Sequence, residues 1–156
     1  MDNLCEADQN TIEKLKKIFD ENCDRRILVL GTTCAGKSTF VRCLPGSVDQ
    51  DDVCWALLPK ELEAKLGGGP WTKELIDAWN NHVEDATKTV EIEAGRPMFA
   101  GSLFKSDMIV YLNVDEPTLR ERARKRGVPY ELAARYNEKI KVMLEATDLP
   151  VIVVDV

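Results

Sequence analysis

The chain has 156 residues, of which 44% are hydrophobic and 31% are charged, and its formal net charge at pH 7 is −6. This size and balance predict one soluble globular domain and argue against two domains, while the negative charge argues against non-specific binding of nucleic acid. No stretch approaches the roughly 20 apolar residues of a membrane span, and the first residues lack the order of a signal peptide, so we expect a cytoplasmic protein without a membrane partner.

An amphipathic helix is predicted near the start of the chain. Asn10 and Glu13 form the pattern of a capping box, and apolar residues recur at helical spacing up to Asp20. We therefore treat residues 1–24 as an N-terminal helical extension. Two uses of its apolar face stay open: packing on its own domain, or self-association into a homo-oligomer.

The residues from Gly31 to Ser38 match the phosphate-binding pattern G-x-x-x-x-G-K-[ST]. Gly31 and Gly36 permit backbone conformations that a Cβ would block, so that N–H groups can point at phosphate oxygens. Lys37 supplies an ammonium for the β- and γ-phosphates, and the Ser38 hydroxyl is a hard ligand suited to Mg²⁺. The residues predicted to hold the nucleotide in this loop are Gly31, Thr32, Thr33, Cys34, Ala35, Gly36, Lys37, Ser38 and Thr39.

The surroundings of this loop fit a phosphate site. An apolar run from Arg26 to Leu30 is typical of a buried parallel strand, and residues 38–44 can continue as a helix. The five cysteines are odd in number and none forms a C-x-x-C pair, so reduced thiols are expected. For Cys34 two interpretations stay open: an oxidisable thiol beside Lys37, or a small residue that fits the loop.

An acidic turn follows a short second strand. Asp49 and Asp51 are predicted to face one side of an extended segment and to reach the nucleotide metal or the acceptor. The alternative is that Asp51 or Asp52 only caps the helix that begins near Val53. That helix should break near Pro59.

The second half of the chain alternates helices with strands. A hinge at residues 67–70 precedes a long helix to about Glu93, which carries the single histidine, His82, interpreted as a packing residue. Strands are predicted near residues 98–104, 107–114 and 150–156. Helices are predicted from an Asp115 N-cap to Gly127 and from Pro129 to Ala146. This alternation predicts a parallel sheet that helices cover on both faces.

The phosphate loop, the acidic turn and the basic helix together resemble the small P-loop kinases, a group that includes nucleoside monophosphate kinases and shikimate kinase. That group carries an L-x-x-R-x-x-x-R-G helix after its fourth strand, and this chain has Leu119, Arg122, Arg126 and Gly127 at that spacing. The resemblance implies an α/β P-loop NTPase fold, a three-layer sandwich with a parallel sheet of about five strands, over residues 25–156.

The same resemblance implies roles for the charged residues. Arg122 and Arg126 would begin a lid that closes over ATP, with Arg135 as a further contact, because guanidinium groups stabilise a phosphoryl group in transfer. Asp49 and Asp51 would lie near Mg²⁺ and the acceptor hydroxyl. The catalytic residues implied are Lys37, Asp49, Asp51, Arg122 and Arg126, and the metal ligands implied are Ser38, Asp49 and Asp51.

The chain departs from the group at the end of the third strand. Residues 100–102 read Ala-Gly-Ser, where many nucleoside monophosphate kinases carry an aspartate, and the segment after Gly127 is too short for a full lid domain. The sequence therefore predicts an ATP- and Mg²⁺-dependent kinase for a small-molecule acceptor, with Ser102 and Lys105 as candidate acceptor contacts. The alternative is a nucleotide-binding regulatory protein or slow ATPase derived from a kinase fold.

Overall fold

Five parallel strands form the centre of the protein, which is described here as a computed structural model covering residues 6–156, without the side chains of Glu6 and Ala7. The strands are β1 (Ile27–Leu30), β2 (Val48–Asp49), β3 (Met98–Ala100), β4 (Met108–Asn113) and β5 (Val151–Asp155). Their order in the sheet is β2-β3-β1-β4-β5. Leu30 at the end of β1 pairs with Ala100 on one side and Tyr111 on the other, so these strands end at the same edge.

Seven helices connect and cover these strands within residues 6–156. They are α1 (Glu6–Glu21), α2 (Lys37–Cys43), α3 (Gln50–Ala56), α4 (Lys60–Gly67), α5 (Lys73–Thr89), α6 (Glu116–Arg126) and α7 (Tyr130–Ala146). The strands are short and apolar, and the parallel pairing requires a crossover between consecutive strands, which the helices supply.

Two buried clusters lie on the opposite faces of the sheet. Ile27 and Val29 belong to one cluster, together with Phe40 of α2. Leu28 and Leu30 belong to the other, which includes Val83, Ala86 and Ile140 of α5 and α7. Alternate residues of a strand point to opposite faces, so β1 contributes to both cores. The predicted α/β fold, a helix-sheet-helix sandwich around five parallel strands, is confirmed.

Helix α1 packs on the same sheet as the rest of the chain. Ile12 and Leu15 are buried in the first core, and Phe19 makes an edge-on ring contact with Phe99, at 6.2 Å between centroids. The helix already begins at Glu6, so the predicted capping box at Asn10 is wrong: Asn10 lies inside the helix. Its apolar face covers its own domain.

The other element boundaries follow the sequence closely. The helix break predicted at Pro59 separates α3 from α4, and the Asp115 side chain caps α6 by accepting a hydrogen bond from Thr118 N at 2.8 Å. Gly127 ends α6 with a left-handed φ of 67°. Helix α5 stops at Thr89, short of the predicted end near Glu93, because the chain turns extended at Val90.

Two polar contacts hold elements of the fold together. Arg26 donates from its guanidinium to Asp107 at 2.8 Å, joining the residues that precede β1 and β4. This hydrogen bond is the main reason why the pKa of Asp107 falls to about 2. In the interior, the Tyr111 hydroxyl donates to the Asn137 side-chain oxygen at 2.7 Å, which links β4 to α7.

Candidate nucleotide and phosphoryl-transfer site

The phosphate loop leaves the sheet at the end of β1. The N–H of Gly31 donates to the carbonyl of Ala100 at 3.1 Å, so the loop begins at the carboxyl edge where β1 and β3 end together. A Cβ on Gly31 would lie 3.1 Å from the Cβ of Ala35 and 3.3 Å from that of Leu112. Close packing therefore favours glycine at this position.

Gly36 at the other end of the loop serves a different purpose. It stands before α2 with a φ of 98°, in the left-handed region that glycine adopts without strain. A Cβ there would also lie 3.3 Å from the ring of Phe40. The two glycines of the motif are thus favoured by close packing in one case and by backbone conformation in the other.

Lys37 turns back over the loop. Its ammonium donates to the carbonyls of Gly31 at 2.5 Å and Thr32 at 2.8 Å. Burial lowers the pKa of Lys37 to about 8, although the nearby carboxylates of Asp51 and Asp49 act in the opposite direction. The side chain is a buried cation whose charge a bound anion would stabilise.

Two other loop side chains are engaged in packing. The Thr32 hydroxyl donates to the carbonyl of Ala133 at 2.6 Å, which ties the loop to α7. Cys34 is only 4% exposed, lies in the first core and has a φ of 69°. This burial favours the interpretation of Cys34 as a small packing residue over that of an oxidisable thiol.

The basic helix α6 brings an arginine to the loop. Arg122 donates from its guanidinium to the carbonyl of Ala35 at 3.2 Å and lies 3.9 Å from the Asp8 carboxylate. Arg126 follows four residues later on the same face of the helix and also lines the pocket over the loop. Arg135, on α7, is not among the residues that line this pocket.

The acidic turn has a different local structure from the one expected. Helix α3 begins at Gln50, so the idea that Asp49 and Asp51 share an extended segment is wrong. Asp49 is the N-cap of α3 and accepts a hydrogen bond from the N–H of Asp51 at 2.9 Å. Burial is the main factor that raises the pKa of Asp49 above its usual value. Asp51 lines the pocket, whereas Asp49 does not.

Gln50 has a structural role that the sequence did not reveal. Its side-chain oxygen accepts hydrogen bonds from the N–H groups of Gly101 at 3.1 Å and Ser102 at 3.2 Å. The buried amide therefore fixes the loop after β3 against the start of α3. A glutamine between two acids gives no sequence signal for such a contact. Lys105 is exposed after that loop and, like Ser102, lies outside the pocket lining.

The resulting pocket has a volume of about 520 Å³. Loop residues 33–39, Asp51, Arg122 and Arg126 line it, whereas Gly31 and Thr32 do not. Four lining residues were missed: Asp8, Phe40, Arg42 and Lys125. Lys125 belongs to the basic run and could have been included on that ground, while Asp8 is brought in by the packing of α1. The pocket is a cleft of cationic side chains with two acids, Asp8 and Asp51, in its lining.

Oxygen donors suited to Mg²⁺ are present beside the loop. The Ser38 hydroxyl and the Asp51 carboxylate both line the pocket, and hard oxygen ligands are those that Mg²⁺ prefers. The described part of the chain contains no group of three or more histidine, cysteine or acidic side chains that could bind a metal by themselves. The donor set therefore fits a cation that phosphate oxygens and water would also coordinate.

Comparisons with known proteins find similar chains only among solved structures. No protein-family model matches the chain, and no curated protein matches it either. Among solved structures, the chain is similar to a gluconokinase from Sinorhizobium meliloti 1021, with 18% identity, a TM-score of 0.40 and coverage of 86% of this chain and 84% of that chain. Within residues 6–156 no helix is long and apolar enough to cross a bilayer.

Proposed function

We propose that the protein is an ATP-dependent phosphotransferase that acts on a small hydroxyl-bearing acceptor. The observation that carries this proposal is the cleft in which Lys37, Arg122 and Arg126 converge on the phosphate loop, with Asp51 at its border. Phosphoryl transfer depends mainly on positioning and on electrostatic stabilisation of the phosphate oxygens. A cleft that contains these three cations and the Asp51 carboxylate has the chemistry for both.

The residues of the chain have distinct tasks in this reaction. Lys37 and the loop N–H groups bind the β- and γ-phosphates, and Arg122 and Arg126 approach from α6 and stabilise the group in transfer. Mg²⁺ at the Ser38 and Asp51 oxygens would neutralise part of the phosphate charge. The alternative ligand Asp49 accepts a hydrogen bond from the Asp51 N–H at one carboxylate oxygen and does not line the cleft.

The chemical step balances without a further reactant. The acceptor oxygen forms a bond to the γ-phosphorus of ATP, and the bond between that phosphorus and the β–γ bridging oxygen breaks. ADP leaves with the electron pair of the broken bond. Asp51, which lines the cleft, orients the acceptor hydroxyl by accepting its hydrogen bond, and the proton passes to water as the new bond to phosphorus forms.

The test is product formation by purified protein with ATP, Mg²⁺ and a pool of nucleosides, nucleoside monophosphates, sugars and hydroxy acids. We expect a phosphorylated product that Lys37→Ala abolishes. Arg122→Ala should lower kcat by about 100-fold or more. The matched control is Arg124→Ala, because Arg124 lies on the same helix but pairs with Glu121 at 2.9 Å and does not line the cleft. Equal activity of the two arginine variants would refute the assignment.

A regulatory nucleotide-binding protein or slow ATPase is the second candidate. It is favoured by the absence of an acid at residues 100–102, where β3 ends beside the loop. Such a protein would bind ATP through Lys37 and hydrolyse it slowly without any acceptor. Nucleotide-dependent change in oligomer size, with no phosphorylated product from the pool, would favour this candidate over the phosphotransferase.

A further inference from the structure

All three tryptophans of the chain lie in one cluster outside the phosphate cleft. The ring of Trp79 is 6.1 Å from that of Trp55 and 5.9 Å from that of Trp71, measured between centroids. The His82 ring lies 6.0 Å from Trp79 on the same cluster. Trp55 is 37% exposed and Trp71 is 40% exposed. Together these residues form a continuous aromatic surface that is open to solvent.

Hydrogen bonds hold the surface in place. The indole N–H of Trp71 donates to the carbonyl of Leu66 at 2.9 Å. The Nε2 atom of His82 lies 2.7 Å from the carbonyl of Cys54, which joins α5 to α3. The rings of Trp71 and His82, and the loop before α5, are therefore held by contacts of the polar ring atoms. Their exposed faces are left for apolar contact.

The aromatic surface adjoins the phosphate cleft through α3. Trp55 follows Asp51 by four residues, which places both side chains on one face of the helix, about 6 Å apart along its axis. Asp51 lines the cleft. A molecule of the size of one or two rings could therefore lie on Trp55 and present a hydroxyl to Asp51.

The charge of the segment that carries the three tryptophans restricts the ligand. Residues 43–95 contain eleven acidic residues, four lysines and no arginine. Guanidinium groups are over-represented in the recognition of phosphate and carboxylate groups, because they donate two parallel hydrogen bonds. A segment that lacks arginine and is mostly acidic disfavours an anionic acceptor, whereas an aromatic surface favours a flat, uncharged ring.

We propose that this aromatic surface binds the acceptor. The acceptor is an uncharged alcohol with a flat ring face, either a pyranoside or a nucleoside, and it carries no phosphate or carboxylate group. The inference rests on the proposed function, since it places the acceptor hydroxyl at Asp51. A second copy of the chain is the competing occupant, because Leu57 and Ile76 nearby are also exposed.

Intrinsic fluorescence tests the inference, because every tryptophan lies in the cluster. The protein is titrated with neutral nucleosides and methyl pyranosides in separate arms, and with their phosphorylated and carboxylated counterparts. We expect a saturable change in emission with at least one neutral class and at least tenfold weaker binding of its anionic counterparts. Trp55→Ala should weaken binding of the neutral ligand by about tenfold or more, and Trp55→Phe should restore most of it.

The controls separate this inference from the proposed function. ATP affinity is measured by calorimetry on the same variants, and Val142→Ala, at an exposed position on α7, is the matched control for removal of an exposed apolar side chain. Phosphorylation only of an anionic acceptor would overturn the inference and leave the phosphotransferase standing. Neutral ligands that bind at Trp55 without any product would support an aromatic binding surface and refute the phosphotransferase. If the emission changes with protein concentration alone and dimers are detected, the inference is overturned in favour of self-association.

Discussion

The lowered pKa of Lys37 makes nucleotide affinity depend on pH above neutrality. The free protein holds this ammonium with a pKa of about 8, against a usual value of 10.5, and bound phosphates should return the pKa to its usual range or above. The dissociation constant for ATP should therefore rise by about 30-fold between pH 7 and pH 9.5, because binding requires the protonated form. Measured at pH 8, binding should take up about half a proton.

Calorimetry at pH 8 in two buffers of different ionisation enthalpy measures the proton uptake, and a series of titrations without divalent cations gives the affinity at each pH. Lys37→Arg is the control, because a guanidinium stays charged throughout this range. Titration of ATP itself affects both proteins equally, so only the difference between them reports Lys37. A dissociation constant that varies less than threefold in the wild type, or equally in both proteins, would refute the reasoning.

The free energy of unfolding should respond to pH and to four substitutions as follows. Gly36→Ala should lower the free energy of unfolding by about 1–2 kcal/mol, because φ is 98° there; an unchanged midpoint in urea would contradict this. Tyr111→Phe should lower the free energy of unfolding by about 1–3 kcal/mol, since the side-chain oxygen of Asn137 stays buried without its partner. The added change Asn137→Leu should recover much of that loss. The contact between Arg26 and Asp107 stabilises the fold above about pH 4. This stabilisation is lost as the pH falls towards 2, because the pKa of Asp107 is lowered in the folded protein. Asp107→Asn should therefore make the melting temperature depend less on pH in that window.

The strands and the phosphate loop could be predicted because local sequence determines them. Apolar runs rich in β-branched residues predicted the ends of β1, β4 and β5 to within about two residues. Asp115 and Gly127 predicted the two ends of α6, because an aspartate side chain caps a helix start and glycine adopts the left-handed backbone that ends a helix. The motif itself requires a strand before it and a helix after it. These features depend on residues close together in the chain.

The contacts that the sequence missed depend on residues far apart in the chain. Gln50 meets the N–H groups of Gly101 and Ser102 across some fifty positions, and Asp8 reaches the cleft because α1 packs on the first core. Periodicity predicts which face of a helix is buried, but it does not predict which neighbour that face covers. The tryptophan cluster also depends on residues far apart in the chain, since it joins α3, α5 and the loop before α5.

The position of Gln50 also bears on the proposed reaction, because the loop after β3 carries no acid. By holding Gly101 and Ser102 against α3, Gln50 fixes the end of β3 beside the first turn of that helix. Asp49 then caps the helix, and Asp51, one residue beyond Gln50, lines the cleft near Lys37. The acid in the cleft is thus supplied by the first turn of α3. We infer that the same helix, one turn further on, orients the acceptor through Trp55, so that α3 joins phosphate chemistry to acceptor recognition.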